Sequence, residues 1–137
     1  MNKQRGFILL EVLIAIIIIS VGVVAVAGVF LPATASYAIA GDYTVASNLA
    51  QKQLELLKSF TAAEWDNALA QTTIGWQGEE AAPNNTIRLN SMDYGIETTV
   101  KVPDADTSNS LIQVTVKVSW TRSKSYNSEF VTLFSKN

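Results

Sequence analysis

Residues 7–31 read FILLEVLIAIIIISVGVVAVAGVFL, a run of 25 in which 21 are apolar and only Glu11 is charged. Wound as a helix at about 1.5 Å per residue it reaches roughly 37 Å, enough to cross a hydrocarbon core of about 30 Å with some tilt. Ahead of it stand only Met-Asn-Lys-Gln-Arg-Gly, whose charges are Lys3 and Arg5. Basic residues favour the cytoplasmic side of a membrane. The N-terminus is therefore expected inside, and everything after Leu31 outside the cytoplasm.

The rest of the chain is ordinary soluble material. Residues 32–137 hold 44 apolar residues in 106 and 19 charged ones, so the mean hydropathy of +0.20 belongs to one segment. A total of 137 residues leaves room for one small domain beyond that segment. With no cysteine and no histidine there is no disulfide framework, no Cys/His metal or haem site and no Ser-His-Asp triad. No cofactor, no metal and no enzymatic activity are expected. Ten Lys+Arg against twelve Asp+Glu, with a pI near 5.0, also argue against a nucleic-acid partner.

Three readings of the N-terminus compete. A cleavable secretory signal would use Ala33-Thr34-Ala35 and leave a mature start near Ser36, but its apolar core is usually about 7 to 15 residues. A plain signal anchor tethering an extracytoplasmic binding module fits length and charge, yet leaves Glu11 unexplained. A carboxylate in a membrane helix costs on the order of 2.5 to 3.5 kcal/mol at the centre and is kept where it has a partner. Near the cytoplasmic edge the cost is smaller and the group can simply be tolerated. The third reading gives it a cation: the free amino terminus created if the chain is cut between Gly6 and Phe7.

The stretch from Lys3 to Ala15, KQRGFILLEVLIA, resembles the class III leader of type IV prepilins and of type II secretion pseudopilins. The shared pattern is a short basic leader, Gly, Phe, three mostly apolar residues, Glu and an unbroken apolar helix. Ile8 stands where the family often has Thr or Ser. The resemblance implies that a prepilin peptidase cuts after Gly6 and that the new Phe7 amine is N-methylated. It further implies that Glu11 neutralises a terminal amine, its own or a neighbour's, during assembly. Loss of residues 1–6 leaves 8 Lys+Arg and 12 Asp+Glu, so the side-chain balance moves from -2 to -4.

Within the run, Gly22 and Gly28 lower helix propensity by about 1 kcal/mol each relative to Ala, and Pro32 removes a backbone donor. These are common residues in membrane helices; the resemblance implies that the helix bends or partly unwinds here as subunits pack. Beyond Pro32 an amphipathic pattern continues to about Phe60. Ile39, Tyr43, Ala46, Leu49, Leu56, Leu57 and Phe60 form the apolar face, while Asp42, Asn48, Gln51, Lys52, Glu55 and Lys58 take the polar one. Gln53 interrupts the apolar face.

Residues 61–93 read as a connecting region, with a helical turn in Ala62 to Ala70 and a short strand at Thr86 to Leu89 as options. Glu79-Glu80 is read as a solvated pair rather than an acid/base couple, and Asn84-Asn85-Thr86 fits an acceptor pattern for glycosylation too short to carry weight. From residue 94 the chain reads as an antiparallel sheet. Tyr94, Ile96, Thr98, Val100 and Val102 alternate with polar residues, as do Ile112, Val114, Val116, Val118 and Trp120. Asp104 and Asp106 mark a turn, since the Gly and terminal Glu of a calcium loop are missing. Arg122 to Ser128 is expected as a polar turn and Glu129 to Phe134 as the last strand.

The expected architecture is α+β and pilin-like: a long N-terminal helix, roughly 80 Å at 1.5 Å per residue, packed on a small antiparallel sheet of three to four strands. Its divisions are 1–6 leader, 7–31 transmembrane and filament-core helix, 32–60 amphipathic half-helix, 61–93 connecting region and 94–137 sheet. The run from Val114 to Trp120 with its final strand is similar to the end of minor pilins of the pilus-modification type, and the absence of cysteine departs from disulfide-closed major pilins. The resemblance implies a structural subunit, a minor pilin of a type IV pilus or alternatively a minor pseudopilin of a type II secretion system. Its implied partners are prepilin peptidase, other pilin or pseudopilin subunits, the membrane, and an inner-membrane assembly platform driven by a cytoplasmic ATPase. The chain would be stored in the cytoplasmic membrane and end in a surface pilus or periplasmic pseudopilus.

Overall fold

A computed structural model describes residues 3–78, 85–104, 106 and 110–136, with side chains from Phe7 onward. The chain forms two compact units, Met1–Gly41 and Asp42–Asn137. Helix α1 (Lys3–Leu57) is continuous and holds Pro32 inside it. It starts upstream of Phe7, where the sequence pattern begins it, because Lys, Gln and Arg are good helix formers and Gly6 alone does not stop propagation.

In the second unit α1 presents Asp42, Ala46, Leu49, Ala50, Gln53 and Leu57 as its buried stripe. The spacing is that of one helical face. Two of the six are polar, and Asp42 is a correction to the sequence reading, which assigned it to the solvated face. Tyr43 remains 42% exposed, with its ring edge-on to Trp120 at 4.8 Å between centroids.

Among the described residues, the stretch from Thr61 onward holds a helix and short strands. Helix α2 (Ala62–Gln71) begins with a reciprocal capping box: the Thr61 hydroxyl accepts from the Glu64 N–H, and the Glu64 carboxylate accepts from the Thr61 N–H at 2.6 Å. Each bond satisfies an otherwise orphaned helix donor. The helix ends at Thr72, with φ at 63°. Strand β1 (Thr73–Ile74) follows at once, then β2 (Thr86–Leu89) and β3 (Met92–Lys101). Asn90 and Ser91, between β2 and β3, both have positive φ, as a two-residue type I′ hairpin turn requires. Glu79, Glu80 and Asn84 lie outside the described residues.

Strands β4 (Leu111–Thr121) and β5 (Ser125–Ser135) complete a five-stranded sheet in the order β1-β3-β4-β5, with β2 also on β3 and every printed pairing antiparallel. The fold is α+β and pilin-like; β2 takes up the optional strand at Thr86 to Leu89, and only the two-residue β1 goes beyond the three to four strands expected. Ile112, Val114, Val116, Val118 and Trp120 are all buried, as are Tyr94, Ile96, Thr98 and Val100. Each fully buried Val or Ile contributes roughly 1.5 to 3 kcal/mol, which makes this face with Leu49 and Leu57 the main stabilising contact of the unit. Val102 falls just past the end of β3. The turn after β4 is only residues 122–124, and β5 starts at Ser125, earlier than the polar composition of 125–128 suggests. Asp106 accepts from the Leu111 N–H at 2.6 Å and so terminates the loop that enters β4.

Candidate functional site

Among the described residues, every side chain from Phe7 through Tyr37 is exposed. Phe7, at 70% exposure, and Glu11 stand four residues apart on α1, one turn from each other along the same face. Monomeric soluble proteins rarely leave more than a few hundred Å² of contiguous apolar surface uncovered. A helix carrying 21 apolar residues in 25 therefore needs lipid or other helices around it. Gly6 lies within the helix backbone, so the Gly6–Phe7 bond has to leave helical geometry for any peptidase that binds extended chain. In the uncut chain the Phe7 nitrogen is an amide; cutting turns it into a cation one turn from Glu11.

Gly22, Gly28 and Pro32 all lie inside the continuous α1. A Cβ added at Gly22 or Gly28 would meet nothing within 4 Å, so nothing inside the subunit demands glycine there. Small residues at such positions allow another helix to approach closely. Pro32 does not end the helix, but it leaves the Gly28 carbonyl without its N–H partner. Three hydroxyls bond back to the preceding turn: Ser20 to the Ile16 carbonyl at 2.7 Å, Thr34 to Leu31 at 2.8 Å and Ser36 to Pro32 at 2.9 Å. Bonds of this type slightly weaken and bend a helix.

In the second unit, the head, α1 is fixed by two polar nodes. Arg122, in the β4–β5 turn, donates to Asp42 from Nε at 2.7 Å and from Nη2 at 2.9 Å. These bonds hold the Asp42 carboxyl below its ordinary range, against the opposing effect of burial; the Tyr94 hydroxyl acts in the same direction as Arg122. Burial and the Asp42 charge push the Tyr94 phenol up. The second node is Gln53, fully buried. Its amide donates to the Gly75 carbonyl and the Thr98 hydroxyl, each at 3.1 Å, and its carbonyl accepts from the Gln77 N–H at 3.0 Å. The residue that interrupts the apolar stripe is thus the tie between α1, β3 and the segment after β1.

Gly6, Phe7, Glu11, Gly22, Gly28 and Pro32 all fall on α1, Gly6 included although the sequence reading placed it in a leader ahead of the helix. Sequence reasoning missed the Asp42–Arg122 pair. Its signal was phase: Asp42 is one turn before Ala46 on the buried stripe, which a charge-based assignment overrides.

Compared with known protein families, residues 1–27 match the prokaryotic N-terminal methylation motif. No curated protein and no solved structure matches the chain. The motif implies processing by a prepilin peptidase and association with other pilin subunits, and together with the exposed apolar helix it fits a single-pass membrane anchor. Over residues 1–27 the chain carries the N-terminal signal of the type IV prepilin and pseudopilin class.

Proposed function

We propose that this chain is a minor pilin of a type IV pilus. It is held in the cytoplasmic membrane with its N-terminus inside, cut after Gly6, N-methylated at Phe7, and drawn into a filament whose core its residues 7–31 join. One observation supports this most: an apolar helix uncovered from Phe7 through Tyr37 begins in the matched methylation motif. Helix packing replaces lipid contacts, so association gains from close van der Waals fit, which Gly22 and Gly28 permit. A softened stretch around Pro32 lets the helix adapt to its neighbours. Glu11 meets a terminal amine, which removes the cost of an unpaired carboxylate in an apolar core. The chain does no chemistry; a cytoplasmic ATPase acting through an inner-membrane platform supplies the energy.

The test is incorporation. In the native host, filaments sheared from the surface should contain the protein, while a Glu11→Ala variant should be cut normally and accumulate in the membrane. Normal incorporation of that variant refutes the pairing role. Recovery of the protein only from a periplasmic filament assigns it to the type II secretion pseudopilus.

A further inference from the structure

Strand β5 is the last in the sheet order, paired with β4 over eleven rungs from Leu111↔Ser135 to Thr121↔Ser125. No described strand pairs with its other side. In an antiparallel strand alternate residues direct N–H and C=O outward, so about half of β5 offers unpaired groups on that side. Native edges are usually blunted by Lys, Pro, a bulge or shortness. Residues 125–135 contain neither Lys nor Pro, and their one charge is Glu129. Val131 and Leu133 are more than half exposed on the sheet's outer face. Behind the strand a groove of about 410 Å³ opens toward α1, lined by Leu54, Glu55, Lys58, Thr132 and Phe134 among others. A strand laid along β5 would bond to the open groups and set alternate side chains into that groove.

The charges on the outer face say what kind of strand fits. Glu97 opposes Lys117 across β3 and β4, and Lys117 opposes Glu129 across β4 and β5. The row alternates in sign and stops on a carboxylate at the open edge. Opposite charges directly across strands are favourable and like charges unfavourable. The next strand in the row should therefore place a cation beside Glu129. A second copy of β5 with its outer face on the same side offers only Ser, Asn127, Glu129, Val131 and Leu133, none of them basic.

We propose that the open edge of β5 accepts an extended strand from a neighbouring, non-identical subunit that sets a Lys or Arg opposite Glu129 and apolar residues beside Val131 and Leu133. The proposal rests on the assembly reading above and names the contact a head makes within it.

Amide hydrogen exchange of the full chain, in detergent micelles and in sheared native filaments, tests it. The open-edge amides of β5 should exchange at least about tenfold more slowly in the filament. Glu129→Lys should lose most of that protection, with Glu129→Gln between the two. Because the chain has no cysteine, a photo-crosslinker on Thr132→Cys can report the occupant. It should capture a different subunit, through a segment bearing a basic residue opposite Glu129. Equal exchange in micelles and filaments overturns strand addition, and crosslinking to a second copy overturns the non-identical partner. Absence of the protein from every filament overturns the assembly reading instead, and this contact with it.

Discussion

Arg122 grips Asp42 with two hydrogen bonds, Nε to Oδ2 at 2.7 Å and Nη2 to Oδ1 at 2.9 Å, and so joins the β4–β5 turn to the first residue of α1 that belongs to the head. Asp42 is 7% exposed, while the arginine side chain is 43% exposed. The carboxylate thus carries most of the desolvation, and the cation stays partly hydrated. The pair sets where the helix meets the sheet.

Replacing Asp42 by Asn keeps the shape and removes the charge. Hydrogen bonds to charged groups contribute about 1.5 to 3 kcal/mol, so Asp42→Asn should lower the unfolding free energy of the head by an amount in that range. Urea denaturation in detergent checks it. A double variant with Arg122→Ala should cost clearly less than the two single losses added together, since both act on one contact.

Acid should erase the same contribution. The folded-state pKa of Asp42 lies below its ordinary 3.8, chiefly through the Arg122 hydrogen bonds. The unfolded chain therefore takes up the proton first on acidification, and stability falls with falling pH. The advantage of the native chain over Asp42→Asn should be fully present above the ordinary carboxylate value and disappear as pH falls through the lower folded value. Thermal melts of both proteins across that range show whether the difference closes. A difference that persists in strong acid would show that packing, not charge, carries it.

Gln53 gives a sharper stability test. Gln53→Leu matches the apolar stripe yet leaves the Thr98 hydroxyl and the Gln77 N–H without the partner they now have, while the Gly75 carbonyl keeps its bond from the Gln77 side-chain amide. Buried groups left unpaired cost about 1 to 3 kcal/mol each. The substitution should destabilise by roughly 2 to 4 kcal/mol despite its greater hydrophobicity. Adding Thr98→Val should recover part of that loss, which urea melts of the single and double variants measure.

The head should also fold without the apolar helix. Residues 42–137 form a compact unit with its own core, so an N-acetylated fragment with that range should unfold cooperatively by circular dichroism. Loss of the sheet signal in the fragment would contradict this.

Much of this was legible because the inward and outward chemistries separate cleanly. In β4 every inward residue is Ile, Val or Trp and most outward ones are polar, so period two stands out. The apolar run and Glu11 are equally plain. The start of β5 was hidden because Ser125, Asn127 and Ser128 have low strand propensity, and pairing with Thr121, Ser119 and Val118 overrides it. β1 is only two residues long, too short for any pattern. Helix α2 did have a signal, Thr61-Ala62-Ala63-Glu64, the capping-box spacing. Asp42 and Gln53 were obscured for one reason: a polar residue on a buried stripe is recognisable only with its partner, and Arg122 and Thr98 lie far away in sequence.

The central claim is that the chain is cut and modified at its N-terminus before it assembles. N-terminal sequencing with intact mass of the protein from its native host tests this most directly. The account predicts a mature chain that begins at Phe7, lacks residues 1–6 and carries a methyl group on its amine. A mature chain that keeps Met1 to Gly6, or one that begins near Ser36, would contradict it.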